Sequence, residues 1–72
     1  MVNTYKFLYR RHNRNYISLE DCDHDTVLAT TLHSAKEKFS LLIELSGYVL
    51  ANEVFIYVFS GTDFIDKHIW NV

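Results

Sequence analysis

The sequence predicts an α+β domain in which an antiparallel β-sheet carries one helix packed on one face, in the order β-β-α-β-β. Three observations predict it. Tyr5, Phe7 and Tyr9 recur at period two near the start of the chain. A single helical pattern of apolar residues runs through Ala35, Phe39, Leu42, Ile43 and Leu45. Val54-Phe55-Ile56-Tyr57-Val58-Phe59 is an unbroken apolar run, β-branched and aromatic, and so suits a strand.

Taken in order, Val2 to Tyr9 reads as the first strand, with Leu8 on the face opposite Tyr5, Phe7 and Tyr9. The polar stretch Arg10-Arg11-His12-Asn13-Arg14-Asn15 reads as a hairpin tip, because Asn tolerates the left-handed conformation of tight reversals. Tyr16 to Cys22 then returns as a second strand, with Ile17 and Leu19 on one face. Asp21 to Asp25 reads as a bulge or turn, and the β-prone stretch Thr26 to Thr31 either continues that strand or forms a short one of its own.

Ser34-Ala35-Lys36-Glu37 fits a capping box, in which the serine hydroxyl accepts from an early helical amide and the glutamate reaches back. A helix is therefore expected from Ala35 to Ser46, closed by Gly47, the residue best able to take the left-handed conformation. Its apolar face holds Ala35, Phe39, Leu42, Ile43, Leu45 and Ser46; Lys36, Glu37, Ser40 and Glu44 point outward and Leu41 sits at the margin. In Val54 to Phe59 both faces are apolar, so both call for cover. Ser60-Gly61-Thr62-Asp63 reads as a turn. The segment Phe64 to Val72 suits either a helix or the returning strand of a hairpin, and the strand is the preferred reading.

The 72 residues include two Gly, no Pro and one Cys, and lack a linker or low-complexity run, which predicts one complete domain spanning 1–72. A chain this short buries only roughly 60% of the surface its unfolded form exposes. No disulfide can compensate, because Cys22 is alone, and a solitary thiol fits a reducing compartment. The polar start at Val2-Asn3-Thr4 does not resemble a secretory signal, and no apolar run approaches the roughly 20 residues of a membrane-spanning helix. A cytoplasmic protein without membrane contact is expected. The net charge of -2 gives no broad attraction to nucleic acid. Yet 49% of the residues are hydrophobic and 15% aromatic, too many for so small an interior, so some must lie on a contact surface.

One helix shields one face of a sheet. Phe55, Tyr57 and Phe59, joined by Tyr5, Phe7 and Tyr9 if the strands are neighbours, are expected on the side the helix leaves uncovered. There either they face a protein partner or a second copy in a homodimer, or the C-terminal segment or a strongly curled sheet folds over them as a second small core. Base stacking is the lesser alternative. The run Val54 to Phe59 is like the aromatic strand of an RNA-recognition motif, but Glu53 precedes it where a cation is expected and no helix separates the first two strands. The basic tip with Arg10, Arg11 and Arg14 can grip carboxylates or phosphates. Three arginines neutralise few phosphates, so nucleic-acid binding there would be weak and salt-sensitive.

The stretch Glu20-Asp21-Cys22-Asp23-His24-Asp25 gathers a thiol, an imidazole and four carboxylates. Structural zinc sites draw paired ligands from two separated segments, and Cys22 and His24 have no second pair. An EF-hand loop needs a glycine that is missing here. No metal or other cofactor is expected. Glu20, Asp21, Asp23 and Asp25 suit instead a role in docking onto a basic groove. Cys22 and His24 lack an oriented base and an oxyanion site, and only Gly47 and Gly61 exist to build a phosphate loop, so no enzyme activity and no small-molecule substrate are expected.

The short chain, its β-hairpin start, the Ser34-Ala35-Lys36-Glu37-Lys38-Phe39 helix and the Val54 to Phe59 strand together resemble small phage-encoded accessory proteins, including anti-CRISPR proteins and other host-factor inhibitors. The resemblance is architectural, spans the whole chain and carries over no residue roles. It implies stoichiometric blockade of a host protein or defence complex in the host-cell cytoplasm.

Overall fold

The computed structural model describes residues 2–11, 22–47, 49–50 and 53–71. They form β1 (Asn3–Tyr9), β2 (Asp23–Ala29), α1 (Leu32–Ser46), β3 (Glu53–Ser60) and β4 (Asp63–Asn71). The strands make one antiparallel sheet in the order β2-β1-β3-β4. The expected class and element order are therefore present. Residues 12–20, which include the expected hairpin tip beyond Arg11 and most of the expected strand Tyr16 to Cys22, lie outside the described residues, as does Asp21.

The acidic stretch departs from its expected turn. Cys22 forms a bend, and Asp23, His24 and Asp25 already belong to β2, paired with Tyr9, Leu8 and Phe7. Aspartate disfavours strands mainly through packing and local hydrogen bonding, and here both carboxylates have partners across the ladder. The Tyr9 hydroxyl donates to Asp25 at 2.6 Å, and Arg11 donates to Asp23 from Nε at 2.8 Å and Nη2 at 3.2 Å.

The helix starts one turn before the expected cap. Thr31 is the N-cap, with extended backbone at φ -136° and ψ 158°, and its hydroxyl accepts the Ser34 amide at 3.1 Å. Ser34 thus takes the third helical position. Glu37 does not reach back; it pairs with His33, one turn earlier on the exposed side. Gly47 closes the helix as expected, at φ 74°, with its amide bonded to the Ile43 and Glu44 carbonyls.

Only a narrow stripe of α1, Ala35, Phe39 and Ile43, is buried. Leu42, Leu45 and Ser46, expected on the same face, are exposed, Leu45 by 80%. Residues at i, i+4 and i+8 nearly line up along a helix, and α1 rests on β2 and β1 along that line. The leucines to either side find no sheet beneath them.

The cross-strand register assigns the faces. Tyr5 lies opposite Val27 and Val58, and Phe7 lies opposite Ile56. Residues directly opposed in a ladder share a face, so Tyr5, Phe7 and Tyr9 join Val27, Ala29, Val54, Ile56 and Val58 beneath the helix. The expectation that Tyr5, Phe7 and Tyr9 join the uncovered side if the strands are neighbours is overturned: β1 and β3 are neighbours, yet each of the three is at most 4% exposed. The physical reason is visible between them, because an outward-facing lysine at position 6 commits its odd-numbered neighbours to the interior.

Phe39 is the centre of this core. Its ring stacks on Phe7 with centroids 4.3 Å apart and planes 3° from parallel, and meets Tyr9 and Trp70 edge-on at 5.3 and 6.2 Å. It thereby joins the helix to β1 and β4. At the outer strand β2, the Lys38 ammonium donates to the Leu28 carbonyl at 2.8 Å. Phe39→Ala is expected to cost about 3 to 5 kcal/mol, a large share of the roughly 4 to 11 kcal/mol of a domain this size. Urea denaturation followed by circular dichroism checks it; a loss below about 1 kcal/mol would show the core is organised around another residue.

Candidate docking face

The side of the sheet opposite α1 is built by the intervening residues of each strand. Lys6 lies opposite Tyr57 and Thr26, and Tyr57 lies opposite Lys67. Leu8, Phe55 and Ile69 form a second row, and Thr4, Phe59 and Phe64 a third. The expected separation of β3 into two faces is present: Val54, Ile56 and Val58 are buried under the helix, whereas Phe55, Tyr57 and Phe59 are half-buried on this side. Among the described residues no element lies over them.

Sequence reasoning found this aromatic row but missed its surroundings. Leu28, Phe64 and Ile69, exposed by 59%, 55% and 58%, and half-buried Leu8 extend the apolar area to all four strands. A bulge between Val58 and Phe59 shifts the β3–β4 register and sets Phe64 beside Phe59, with ring centroids 5.7 Å apart. Tyr57 and Phe64 lie 6.2 Å apart.

Two lysines give this face its electrostatics. The Lys67 ammonium lies over the rings of Phe55 and Tyr57, at 5.3 and 5.4 Å from their centroids, within cation–π range. Lys6 and Lys67 flank Tyr57 on its two sides, with backbones about 10 Å apart at normal strand spacing. Among the described residues no carboxylate pairs with either lysine. The face is thus apolar and aromatic at its centre and cationic across its middle.

The other expected contact residues are not brought to it. Arg10 is exposed, but Arg11 and Asp23 neutralise one another through a two-bond pair, with side chains 27% and 23% exposed. Asp25 is tied to Tyr9. Asp23 and Asp25 also lie on the helix side of β2, by their register with Tyr9 and Phe7. The basic tip and the acidic stretch, read from the sequence as separate docking surfaces, are partly each other's partners. Arg14, Glu20 and Asp21 lie outside the described residues.

On the helix side, an open groove of 550 Å³ runs between α1 and Trp70, where the Lys36 ammonium sits 5.3 Å above the indole. Among the described residues no three His, Cys, Asp or Glu side chains are grouped to hold a metal ion, and no helix is long and apolar enough to cross a membrane. In comparisons with known proteins, no family model matches the chain, no curated protein matches its sequence, and no solved structure matches its fold.

The Arg11–Asp23 pair sets a measurable expectation. A double-mutant cycle with Arg11→Ala and Asp23→Ala is expected to give a coupling of about 0.5 to 1.5 kcal/mol, above a median surface pair because two hydrogen bonds form in a partly buried site. Zero coupling in urea denaturation would show that the pair leaves β2 no more stable.

Proposed function

We propose that this chain is a non-enzymatic docking module that holds another protein against the open sheet face, occupying that protein's functional surface in a stoichiometric complex. The single observation that carries the reading is the Phe55, Tyr57 and Phe59 row, left half-buried with Lys6 and Lys67 on either side of Tyr57. Aromatic residues supply large contact areas for little lost side-chain entropy, and interfaces are enriched in them.

The charge pattern narrows the partner's chemistry. Two lysines without carboxylate partners among the described residues call for an apolar partner surface bearing Asp or Glu. They also argue against a second copy on this face, since a face-to-face dimer would press four unpaired ammonium groups into one interface. Nucleic acid is favoured less: two lysines and Arg10 offer few phosphate contacts, and the Lys67 ammonium already occupies the ring faces of Phe55 and Tyr57. The architectural resemblance to phage-encoded inhibitors supports blockade as the mode of action.

Affinity capture from bacterial lysate with the intact protein, followed by titration of the captured protein, tests this. Lys6→Glu is expected to weaken binding at least about tenfold by setting like charges together, and Tyr57→Ala to weaken it further, while Arg10→Glu leaves it unchanged. Capture indifferent to Lys6→Glu and Tyr57→Ala overturns the reading. So does binding of a single-stranded oligonucleotide that falls steeply with added salt and depends on the same two residues.

A further inference from the structure

The outer strand β4 carries an interaction surface separate from the open face. Among the described residues no strand pairs with its free side, so it presents a row of backbone donors and acceptors that a further strand can meet. The one side chain bonded to its backbone, among the described residues, is Asp66, which accepts the Lys67 amide at 2.8 Å. On the opposite outer strand one backbone group is likewise held, the Leu28 carbonyl of β2 by Lys38.

The sequence of β4, Asp-Phe-Ile-Asp-Lys-His-Ile-Trp-Asn, is close to palindromic in its chemistry, with Lys67 at the centre. Isoleucines stand two residues to either side of Lys67, and an acid and an imidazole stand one residue to either side. We propose that two copies of this chain pair antiparallel through β4 about a two-fold axis at Lys67, joining two four-stranded sheets into one.

That register sets Asp66 of each copy opposite His68 of the other, so that the Asp66–His68 contact each chain already makes at 3.2 Å is shared across the axis, and sets Ile65 opposite Ile69, each twice. Opposed residues must share a face, so a slip of one residue would set open-face side chains against helix-face ones. A slip of two residues brings Asp66 opposite Asp66, or His68 opposite His68, and loses both complementary pairs. The one unfavourable opposition, Lys67 against Lys67, is relieved by a contact already present: each lysine leans back over Phe55 and Tyr57, away from the axis. Beyond Ile65 the bulge turns Phe64 onto the open face, so the matched ladder runs from 65 to 69. The axis stands perpendicular to the sheet, which places both helices on one side and both open faces on the other.

Sedimentation of the intact protein tests the pairing. The expected mass is twice the 8.5 kDa of the chain. Asp66→Lys is expected to weaken the dimer at least about tenfold with unchanged circular dichroism, and Asp66→Lys combined with His68→Asp to restore it. In a Cys22→Ser background, Lys67→Cys is expected to cross-link on oxidation, because residues on the axis approach within disulfide reach, whereas His68→Cys does not. A single 8.5 kDa species, a dimer indifferent to Asp66→Lys, or equal cross-linking through His68→Cys overturns the proposal. Lys6 is two strands away from β4, so Lys6→Glu leaves pairing intact, and failure of partner docking is read from a different variant.

Discussion

Phe39 stacked on Phe7 fixes where the helix lies, and most of the molecule follows from that contact. With the rings 4.3 Å apart, α1 is held over β1 and β2, and of its residues Ala35, Phe39 and Ile43 are buried. A helix of this width can desolvate one side of a four-stranded sheet and no more. The partition into a buried layer and an exposed aromatic layer is therefore a consequence of having one helix, and it holds whatever partner the exposed layer meets.

Much of this arrangement is written locally in the chain. The alternation in Val54 to Phe59, the glycine at 47 and the turn before Asp63 each depend on neighbours within a few residues, and the structure places each where local rules put it. The helix start illustrates the limit of such rules. Thr31 and Ser34 are both good caps, and the choice between them depends on where β2 ends at Ala29, a fact set by pairing with β1. The strand assignment of Asp23 to Asp25 is similar: an acidic run reads as a loop until Tyr9 at the end of β1 and Arg11 just beyond it arrive to satisfy it.

The candidate site was legible in part for the same reason. Phe55, Tyr57 and Phe59 could be placed opposite Val54, Ile56 and Val58 from alternation alone. Whether Tyr5, Phe7 and Tyr9 shared their side depended on the register between β1 and β3, which no single strand encodes. Lys6 was the available cue, since a cation between two aromatic residues marks the solvent side. Nothing local marked Lys67, Phe64 or Ile69 as companions of the row, because their placement depends on a bulge and on pairing across β3.

The two outer strands bear on how further chains can add to the sheet. Exposed strands are templates for uncontrolled polymerisation, in which each added chain offers a fresh edge to the next. Here the Lys38 ammonium sits on the Leu28 carbonyl at one rim, where an incoming backbone would have to displace a charged group. If two copies pair through β4 as proposed, that rim is used up, and further addition would have to begin at the β2 rim, where Lys38 holds the Leu28 carbonyl.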